Sequence, residues 1–198
     1  MAVFSRAVSF ASKQPWFAVC TRPTQERAVS DYLANREFRV FSPQYAAPSG
    51  GKWSRRHPIP VFPGYVFVQG GMERKNTILT TPGVYTIVCV GFEPAEIPRS
   101  ALETVRRALD SSLHLEPRLF AVASVHSQQQ VALDKGPLAG AIGAIQQTGT
   151  ACELIVSIEL IEKSVAIRID PTWLAHESNS PNQEGARHAL TRAVIAGR

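Results

Sequence analysis

The pattern of apolar residues changes near Val125, and this change limits the possible folds more than any other feature. Before it, strand-like runs alternate with helical spacing; after it, short strand-like runs are separated by glycine turns. Alternating strands and helices predict a sheet covered by helices, whereas closely spaced short strands predict a small all-β unit. We therefore expect an α/β (α+β) sandwich with a mainly antiparallel sheet, followed by a small β-barrel of SH3-like size.

The expected segments follow from composition and from this pattern. The sequence predicts a flexible leader (1–14), an α/β domain (15–112), a linker (113–124), an all-β domain (125–175) and a mobile tail (176–198). The tail is assigned because it is rich in Ser, Asn, Gln and Gly, a composition that does not build a packed core.

Within the first unit, four runs are typical of strands and three positions are typical of helix starts. The strand-like runs are, in chain order, WFAVCT, FRVFSPQY, VFPGYVFVQG and VYTIVCVG. Thr24 and Asn76 are candidate N-caps, and Ser100 with Glu103 has the spacing of a capping box. Pro63 and Gly64 predict a bend at the start of the third strand.

The net charge of +5 is unevenly distributed. Residues 15–112 hold 12 Lys and Arg against 8 Asp and Glu, whereas residues 125–175 hold 3 against 5. A modest positive excess suits a protein that touches nucleic acid while it binds something else, and falls short of an autonomous duplex binder. A merely solubilising surface explains the excess equally well.

The cysteines and the hydropathy pattern indicate a cytoplasmic protein with no membrane-spanning helix. Cys20, Cys89 and Cys152 lie far apart in apolar, strand-like runs, so we expect reduced core thiols. No apolar stretch reaches the roughly 20 residues that a spanning helix needs.

No catalytic constellation is visible. Walker A, GxSxG and HExxH patterns are absent, as is close Cys and His spacing, and the histidines stand singly. Gly136, Gly140 and Gly143 could suggest a phosphate loop, but no Lys-Ser/Thr pair and no helix follow, so we interpret them as turns of the β unit. We expect no enzyme activity, no cofactor and no metal.

Two other features are candidate surfaces. Phe62, Tyr65 and Phe67 place three aromatic rings on one strand, where they form either the core of a sheet or a docking patch for a partner helix. The second feature is a loop in which three cations flank an indole that can stack on bases: Lys52, Trp53, Arg55 and Arg56. This loop either contacts backbone phosphates and splayed bases or is simply solvated.

Taken together, these segments resemble the NusG family of transcription factors, in particular specialised antitermination branches such as the RfaH-like and UpxY-like capsule-operon regulators. The similarity runs from Trp16 to about Leu174. It is carried by WFAVCTRPTQERA, PVFPGYVFV, ILTTPGVYTIVCVG, AEIP, VALDKGPLAGAIGAI and LIVSIELIEKSVAIRID. FPGYVFV and DKGPLAG in this order and at this separation form the most specific part of the resemblance.

For the first unit, the resemblance implies an N-terminal (NGN) domain that binds the clamp helices of RNA polymerase. Phe62, Tyr65 and Phe67 would help to line the hydrophobic depression that receives these helices. Arg22 and Arg27, with the Lys52–Arg56 loop beside them, would contact the non-template DNA strand. The resemblance further places Asn76 and Thr77 against the opposite polymerase jaw.

For the second unit, the resemblance implies a KOW domain, which in relatives binds a small-subunit ribosomal protein or the terminator Rho. This chain departs from the family pattern, because Gln128 replaces a usual glycine and Ala141 lies where a bulky aromatic is expected. Leu138 and Ile142 are the remaining apolar candidates for partner contact, and core packing explains them equally well.

The resemblance as a whole implies a monomeric, cytoplasmic elongation or antitermination factor that rides on RNA polymerase. It would suppress pausing or termination. The alternative is a ribosome- or RNA-associated KOW binding module in which the front domain serves as a folded spacer.

Overall fold

The computed structural model describes residues 12–45, 58–119 and 130–174. Three helices lie within these ranges: α1 (Glu26–Asn35), α2 (Lys75–Leu79) and α3 (Arg99–Asp110). Nine strands in the described residues come before α3 in the chain: β1 (Trp16–Thr21), β2 (Arg39–Phe41), β3 (Gln44–Tyr45), β4 (Ile59–Pro60), β5 (Tyr65–Gln69), β6 (Val84–Ile87), β7 (Cys89–Val90), β8 (Glu93–Pro94) and β9 (Glu96–Ile97). Five more follow α3: β10 (Leu115–Leu119), β11 (Gln130–Ala132), β12 (Ile142–Thr148), β13 (Ala151–Ile158) and β14 (Lys163–Ile169).

The N-terminal sheet is antiparallel and has the order β2-β5-β1-β6, with β9 also paired to β1. Side chains alternate between its two faces. Val19, Val66 and Val68 pack against α1 and α2 on one face, together with Val29 and Ile78 of those helices. The other face is covered by α3, so the unit has a three-layer arrangement. The expected α/β domain with a mainly antiparallel sheet is confirmed.

The face toward α3 is rich in aromatic residues. Trp16 and Phe41 belong to this face, and Leu102 and Val105 of α3 are fully buried in the same cluster. The spacing of Leu102, Val105 and Leu109 places them on one side of the helix, which is why α3 can cover the sheet.

The C-terminal sheet is antiparallel and has the order β10-β14-β13-β12-β11. Its β13 and β14 are β-branched strands whose alternate side chains, including Val165, Ile167 and Ile169, are buried. The strand pattern predicted for this part of the chain is confirmed in the described residues. Leu115–Leu119 adds an edge strand from within the segment expected to be a linker, and its Pro117 is tolerated because an edge strand leaves one side unpaired.

The three predicted helix caps are wrong. Thr24 has φ 66° and follows Pro23 in a tight turn closed by the bond from Gln25 N–H to the Arg22 carbonyl, so Gln25 precedes α1. Asn76 lies inside α2, which begins at Lys75.

In α3, the capping box is replaced by an ion pair. The helix begins two residues earlier than the capping box predicts, at Arg99, with Pro98 as the N-cap, and the guanidinium Nε of Arg99 donates to Glu103 Oε1 at 2.9 Å. Glu103 therefore bonds four residues back along the helix surface, which an i,i+4 pair favours.

Three further local expectations need correction. FRVFSPQY divides into β2 and β3, and VYTIVCVG divides into β6 and β7. Of the three thiols, only Cys152 is buried; Cys20 is half-buried and Cys89 is exposed on the short β7 hairpin, so a core role for Cys89 is wrong. The described part of the chain has no helix that is long and apolar enough to cross a membrane.

Candidate interaction surfaces

The predicted aromatic patch is divided between β5, which contains Tyr65 and Phe67, and the bend before it, which contains Phe62. Gly64, with φ 86°, turns the chain between Phe62 and Tyr65, and its N–H donates to Glu26 Oε1 at 2.7 Å. The bend predicted at this point is therefore present. Glu26 is buried in the first turn of α1, so a carboxylate of the helix fixes the turn that presents the aromatic residues.

Two of the three aromatic side chains lie in the core. Phe62 is 1% exposed and Phe67 is fully buried, and their rings meet edge to face with centroids 5.3 Å apart. The ring centroid of Phe67 lies 6.4 Å from that of Phe41, and the centroid of Phe41 lies 6.3 Å from that of Trp16. Tyr65 is only half-buried. In this arrangement, Tyr65 is the residue of the three that retains exposed surface.

The C-terminal sheet packs against this same aromatic face. The apolar cluster that contains Phe62 and Phe67 also includes Leu133, Leu154 and Ile167 of the C-terminal sheet without a break. Burial raises the pKa of Tyr65, with smaller contributions from Cys20 and from the carboxylate of Glu162, which lies between β13 and β14. Burial likewise raises the pKa of Tyr45, with a contribution from Glu116 of β10. Acidic groups of the C-terminal sheet therefore contribute to the raised pKa of both tyrosines.

Arg107 of α3 holds a loop of the C-terminal sheet directly. Its Nε and Nη2 donate to the Pro137 carbonyl at 3.0 and 2.6 Å, and Nη2 also donates to the Ala139 carbonyl at 3.0 Å. Charged donors that meet two carbonyls through a planar fork fix both distance and orientation. No spacing in the sequence pointed to this contact, because it joins residues about 30 positions apart.

The same loop is braced from its other side by Trp173. The N–H groups of Asp134 and Lys135 approach the Trp173 carbonyl, at 3.0 and 3.5 Å, and the indole ring lies against Gly136. Leu138 is fully buried and Ile142 is 64% exposed. Of the two apolar residues expected to contact a partner, the structure therefore leaves only Ile142 at the surface.

The predicted nucleic-acid-binding residues are only partly within the described chain. Arg22 and Arg27 are exposed at the turn into α1 and in its first turn. Lys52, Trp53, Arg55 and Arg56 lie outside the described residues.

Two further cations lie at the end of α1 and beside α2, close to Asn76 and Thr77. Asn76 is exposed and Thr77 is half-buried. Arg36 donates from Nη1 to Thr81 Oγ1 at 2.8 Å, and the Arg74 guanidinium lies 4.1 Å above the centre of the Phe38 ring. Sequence reasoning missed both arginines, because tertiary contacts rather than local spacing bring them together.

The described residues contain no group of three His, Cys, Asp or Glu side chains that could hold a metal ion. The surfaces above are made of aromatic rings, guanidinium groups and backbone carbonyls. Such groups are typical of surfaces that bind macromolecules.

Comparison with known proteins gives a family assignment for the front of the chain. A model of the family described as "Transcription termination factor nusG" matches residues 14–106. No curated protein matches the chain. Among solved structures, one described as "Domain interaction in Thermotoga maritima NusG" is 19% identical with a TM-score of 0.47, covering 82% of this chain and 96% of that one. An MjSpt4:Spt5 complex is 16% identical with a TM-score of 0.28, covering 81% and 96%. Residues 14–106 are therefore similar to the family described as "Transcription termination factor nusG".

Proposed function

We propose that the chain is a non-enzymatic transcription elongation or antitermination factor that binds the clamp helices of RNA polymerase through its N-terminal domain. The family match over residues 14–106 carries this proposal. Contact with the non-template DNA strand would come from Arg22, Arg27 and the Lys52–Arg56 loop, and the result would be suppressed pausing or termination. Asn76 and Thr77, at the exposed end of α2, would meet the opposite polymerase jaw.

Tyr65 is the centre of the proposed docking face. Phe62 and Phe67 lie in the apolar cluster against which Tyr65 packs, and their two rings contact each other edge to face. An aromatic residue with an apolar body and a polar tip is a frequent anchor at protein interfaces. Clamp helices could therefore meet Tyr65 at the surface and gain access to Phe62 and Phe67 only as the covering side chains withdraw.

The packing of the C-terminal sheet makes this docking conditional. Residues of the C-terminal sheet share one apolar cluster with Phe62 and Phe67, and Arg107 fastens the loop around Pro137 to α3. Polymerase must therefore compete with the C-terminal sheet for the aromatic face. The free energy needed to separate the two is deducted from the binding free energy.

We further propose that the five-stranded C-terminal sheet is a KOW domain that closes as an SH3-like barrel. Its partner would be a small-subunit ribosomal protein or Rho. Ile142 supports this proposal because it is a large apolar side chain exposed at the start of β12. Leu138, fully buried in the loop held by Arg107, would take part only after that loop is released.

Capture by core RNA polymerase tests the main proposal. Immobilised full-length chain is expected to retain core enzyme, and Tyr65→Ala is expected to weaken retention by about 1–3 kcal/mol, the usual range for an interface anchor. Tyr32→Ala is the matched control, because Tyr32 is 48% exposed on α1, away from the aromatic face.

Two outcomes would contradict the proposal. The first is failure of the full-length chain and of an Arg107→Ala variant, in which the covering sheet is loosened, to retain polymerase. The second is equal retention by Tyr65→Ala and the parent chain when both have the same melting temperature. Capture of ribosomal subunits without polymerase would instead support the alternative of a ribosome-associated KOW module.

A further inference from the structure

A tight turn leads the chain from the core into β5 and ends at Tyr65. The Tyr65 N–H donates to the Phe62 carbonyl at 3.1 Å, so these two residues are the ends of a β-turn. Pro63 occupies the second position and Gly64, with φ 86°, the third, which is the pattern of a type II turn. Phe62 is buried before the turn, whereas Tyr65 after it retains exposed surface.

Both polar groups of the Gly64 backbone are bound by neighbouring elements. The N–H donates to Glu26 Oε1 at 2.7 Å, and the carbonyl accepts from the Thr21 N–H at 2.8 Å. The turn itself uses neither group, because the hydrogen bond that closes it joins its first and fourth residues. The end of β1 and the first turn of α1 therefore hold this glycine from outside the turn.

Of these two hydrogen bonds, only the one to Glu26 depends on a side chain. Glu26 is 4% exposed, and a glutamate is rarely so buried unless it is paired. A hydrogen bond from a backbone N–H to a carboxylate is also stronger than one between neutral groups. A substitution at Glu26 can therefore release one side of Gly64 while the backbone bond from Thr21 remains.

The bond to Glu26 selects the orientation of the peptide group between Pro63 and Gly64. Type I and type II turns differ in this central peptide, which is turned over in one relative to the other, and φ of the third residue changes sign with it. Only the type II orientation directs the Gly64 N–H toward the carboxylate. An added Cβ at Gly64 would meet no atom within 4 Å, so the glycine is not held by close side-chain packing.

We propose that Glu26 is a positioning residue for the docking face, and that it acts by keeping this turn in one conformation. This inference rests on the proposed function, in which Tyr65 meets the clamp helices of RNA polymerase. Without the carboxylate the central peptide can turn over, the chain on either side adjusts, and Tyr65 takes more than one position. A partner helix then binds only the part of the population in which Tyr65 is correctly placed.

Retention of core RNA polymerase by the immobilised full-length chain, over a range of polymerase concentrations, tests this inference. Glu26→Ala removes the acceptor and should weaken retention by about threefold to tenfold. Glu26→Gln keeps an oxygen that can accept from the Gly64 N–H and should remain within about twofold of the parent chain. Val29→Ala is the matched control, because Val29 is fully buried in the same helix and packs on the other face of the sheet.

A signal from Tyr65 itself separates positioning from a general loss of stability. The chain has four tyrosines, so incorporation of 3-fluorotyrosine gives four fluorine resonances, and Tyr65→Phe identifies the relevant one. Glu26→Ala should shift or broaden this resonance, because the tyrosine takes more than one position. Glu26→Gln and Val29→Ala should leave it as in the parent chain.

Gly64→Ala perturbs the same turn independently. Its Cβ would meet no atom, but φ 86° disfavours alanine, so the turn should leave the type II form with Glu26 still present. Polymerase retention should fall by a similar factor. A chain that carries both Glu26→Ala and Gly64→Ala should be no weaker than the weaker single variant, because both substitutions act on one turn.

The inference is wrong if a folded Glu26→Ala chain retains polymerase as the parent does, or if its Tyr65 resonance is unchanged. It is also wrong if Glu26→Gln is as weak as Glu26→Ala, or if Val29→Ala with the same melting temperature is equally weak. If Glu26→Ala does not fold, full retention by Gly64→Ala would overturn the inference. Failure of both the parent chain and Arg107→Ala to retain polymerase contradicts the main proposal, whereas the Tyr65 resonance still shows whether Glu26 holds the turn.

Discussion

Gly136 offers the sharpest test of how the C-terminal loop is held. Its φ is 76°, and an added Cβ would lie 2.4 Å from the nearest atom of the Trp173 ring. A left-handed backbone costs a residue with a Cβ about 1–2 kcal/mol, and moving a packed ring costs about 1–3 kcal/mol more. Gly136→Ala should therefore lower the free energy of unfolding by about 2–5 kcal/mol.

Gly140 is a matched control in the same loop. Its φ is 81°, but no atom lies within 4 Å of an added Cβ. Gly140→Ala should therefore cost only the backbone part, about 1–2 kcal/mol. Replacing glycine by alanine also lowers the conformational entropy of the unfolded chain, which favours folding. This contribution is the same for both substitutions, so it cancels when the two variants are compared.

The measurement is urea denaturation of the full-length chain, followed by circular dichroism and tryptophan fluorescence. The difference between the two alanine variants should be about 1–3 kcal/mol, and it should vanish in a Trp173→Ala background, where the ring is gone. Equal destabilisation by Gly136→Ala and Gly140→Ala in the parent chain would refute the bracing role of Trp173.

Three further predictions concern the two units and their contact. Replacing Lys52, Arg55 and Arg56 with serine should reduce crosslinking to non-template DNA in an elongation complex and make its salt dependence shallower, while binding to isolated clamp helices persists; the reverse pattern would contradict the assignment of the surfaces. Arg107→Ala removes three hydrogen bonds and should favour separation of the C-terminal sheet from α3 by about 2–4 kcal/mol. Energy transfer between labels on the two sheets measures this separation, and Arg36→Ala, which removes a hydrogen bond within the N-terminal unit, should leave it unchanged. Chemical shifts across β13 and β14 should be those of strands both in the full-length chain and in an isolated C-terminal fragment; helical shifts in the full-length chain would show a refolding C-terminal unit.

Much of the fold could be predicted from the sequence, because local chemistry and tertiary packing agree along most strands. β5 is a run of β-branched and aromatic residues, and Gly64 supplies the turn before it. α3 could be predicted from the apolar spacing of Leu102, Val105 and Leu109. The start of α3 could not be predicted, because Glu103 bonds to the side chain of Arg99 and not to the backbone N–H of Ser100, as a capping box requires.

The strand β10 could not be predicted for a related reason. LEPRL contains a proline and two charged residues, a composition typical of a linker. It becomes a strand because β14 offers an unpaired edge, and because Pro117 can lie on an edge strand. Tertiary pairing overrides local propensity in this segment.

The candidate site was less predictable than the fold. The aromatic character of Phe62, Tyr65 and Phe67 was visible, but their exposure depends on what packs over the sheet. Local patterns do not encode which face the C-terminal sheet covers. The contact made by Arg107 is similarly hidden, since an arginine in a helix is an ordinary surface residue until a carbonyl-bearing loop approaches it.

The strand β10 also limits how the aromatic face can be uncovered. Four residues separate the end of α3 at Asp110 from the start of β10 at Leu115. Fully extended, the backbone from Asp110 to Leu115 spans at most about 17 Å. The C-terminal sheet therefore remains near α3 as long as β10 stays paired along β14. Release of β10 would extend the tether to Gln130, the first residue of β11, and the fully extended backbone from Asp110 to Gln130 spans at most about 70 Å. In the proposed docking, full access of a polymerase helix to the aromatic face is thus coupled to an edge strand that pairs on one side only and contains a proline, so β10 should detach more easily than the central strands β12, β13 and β14.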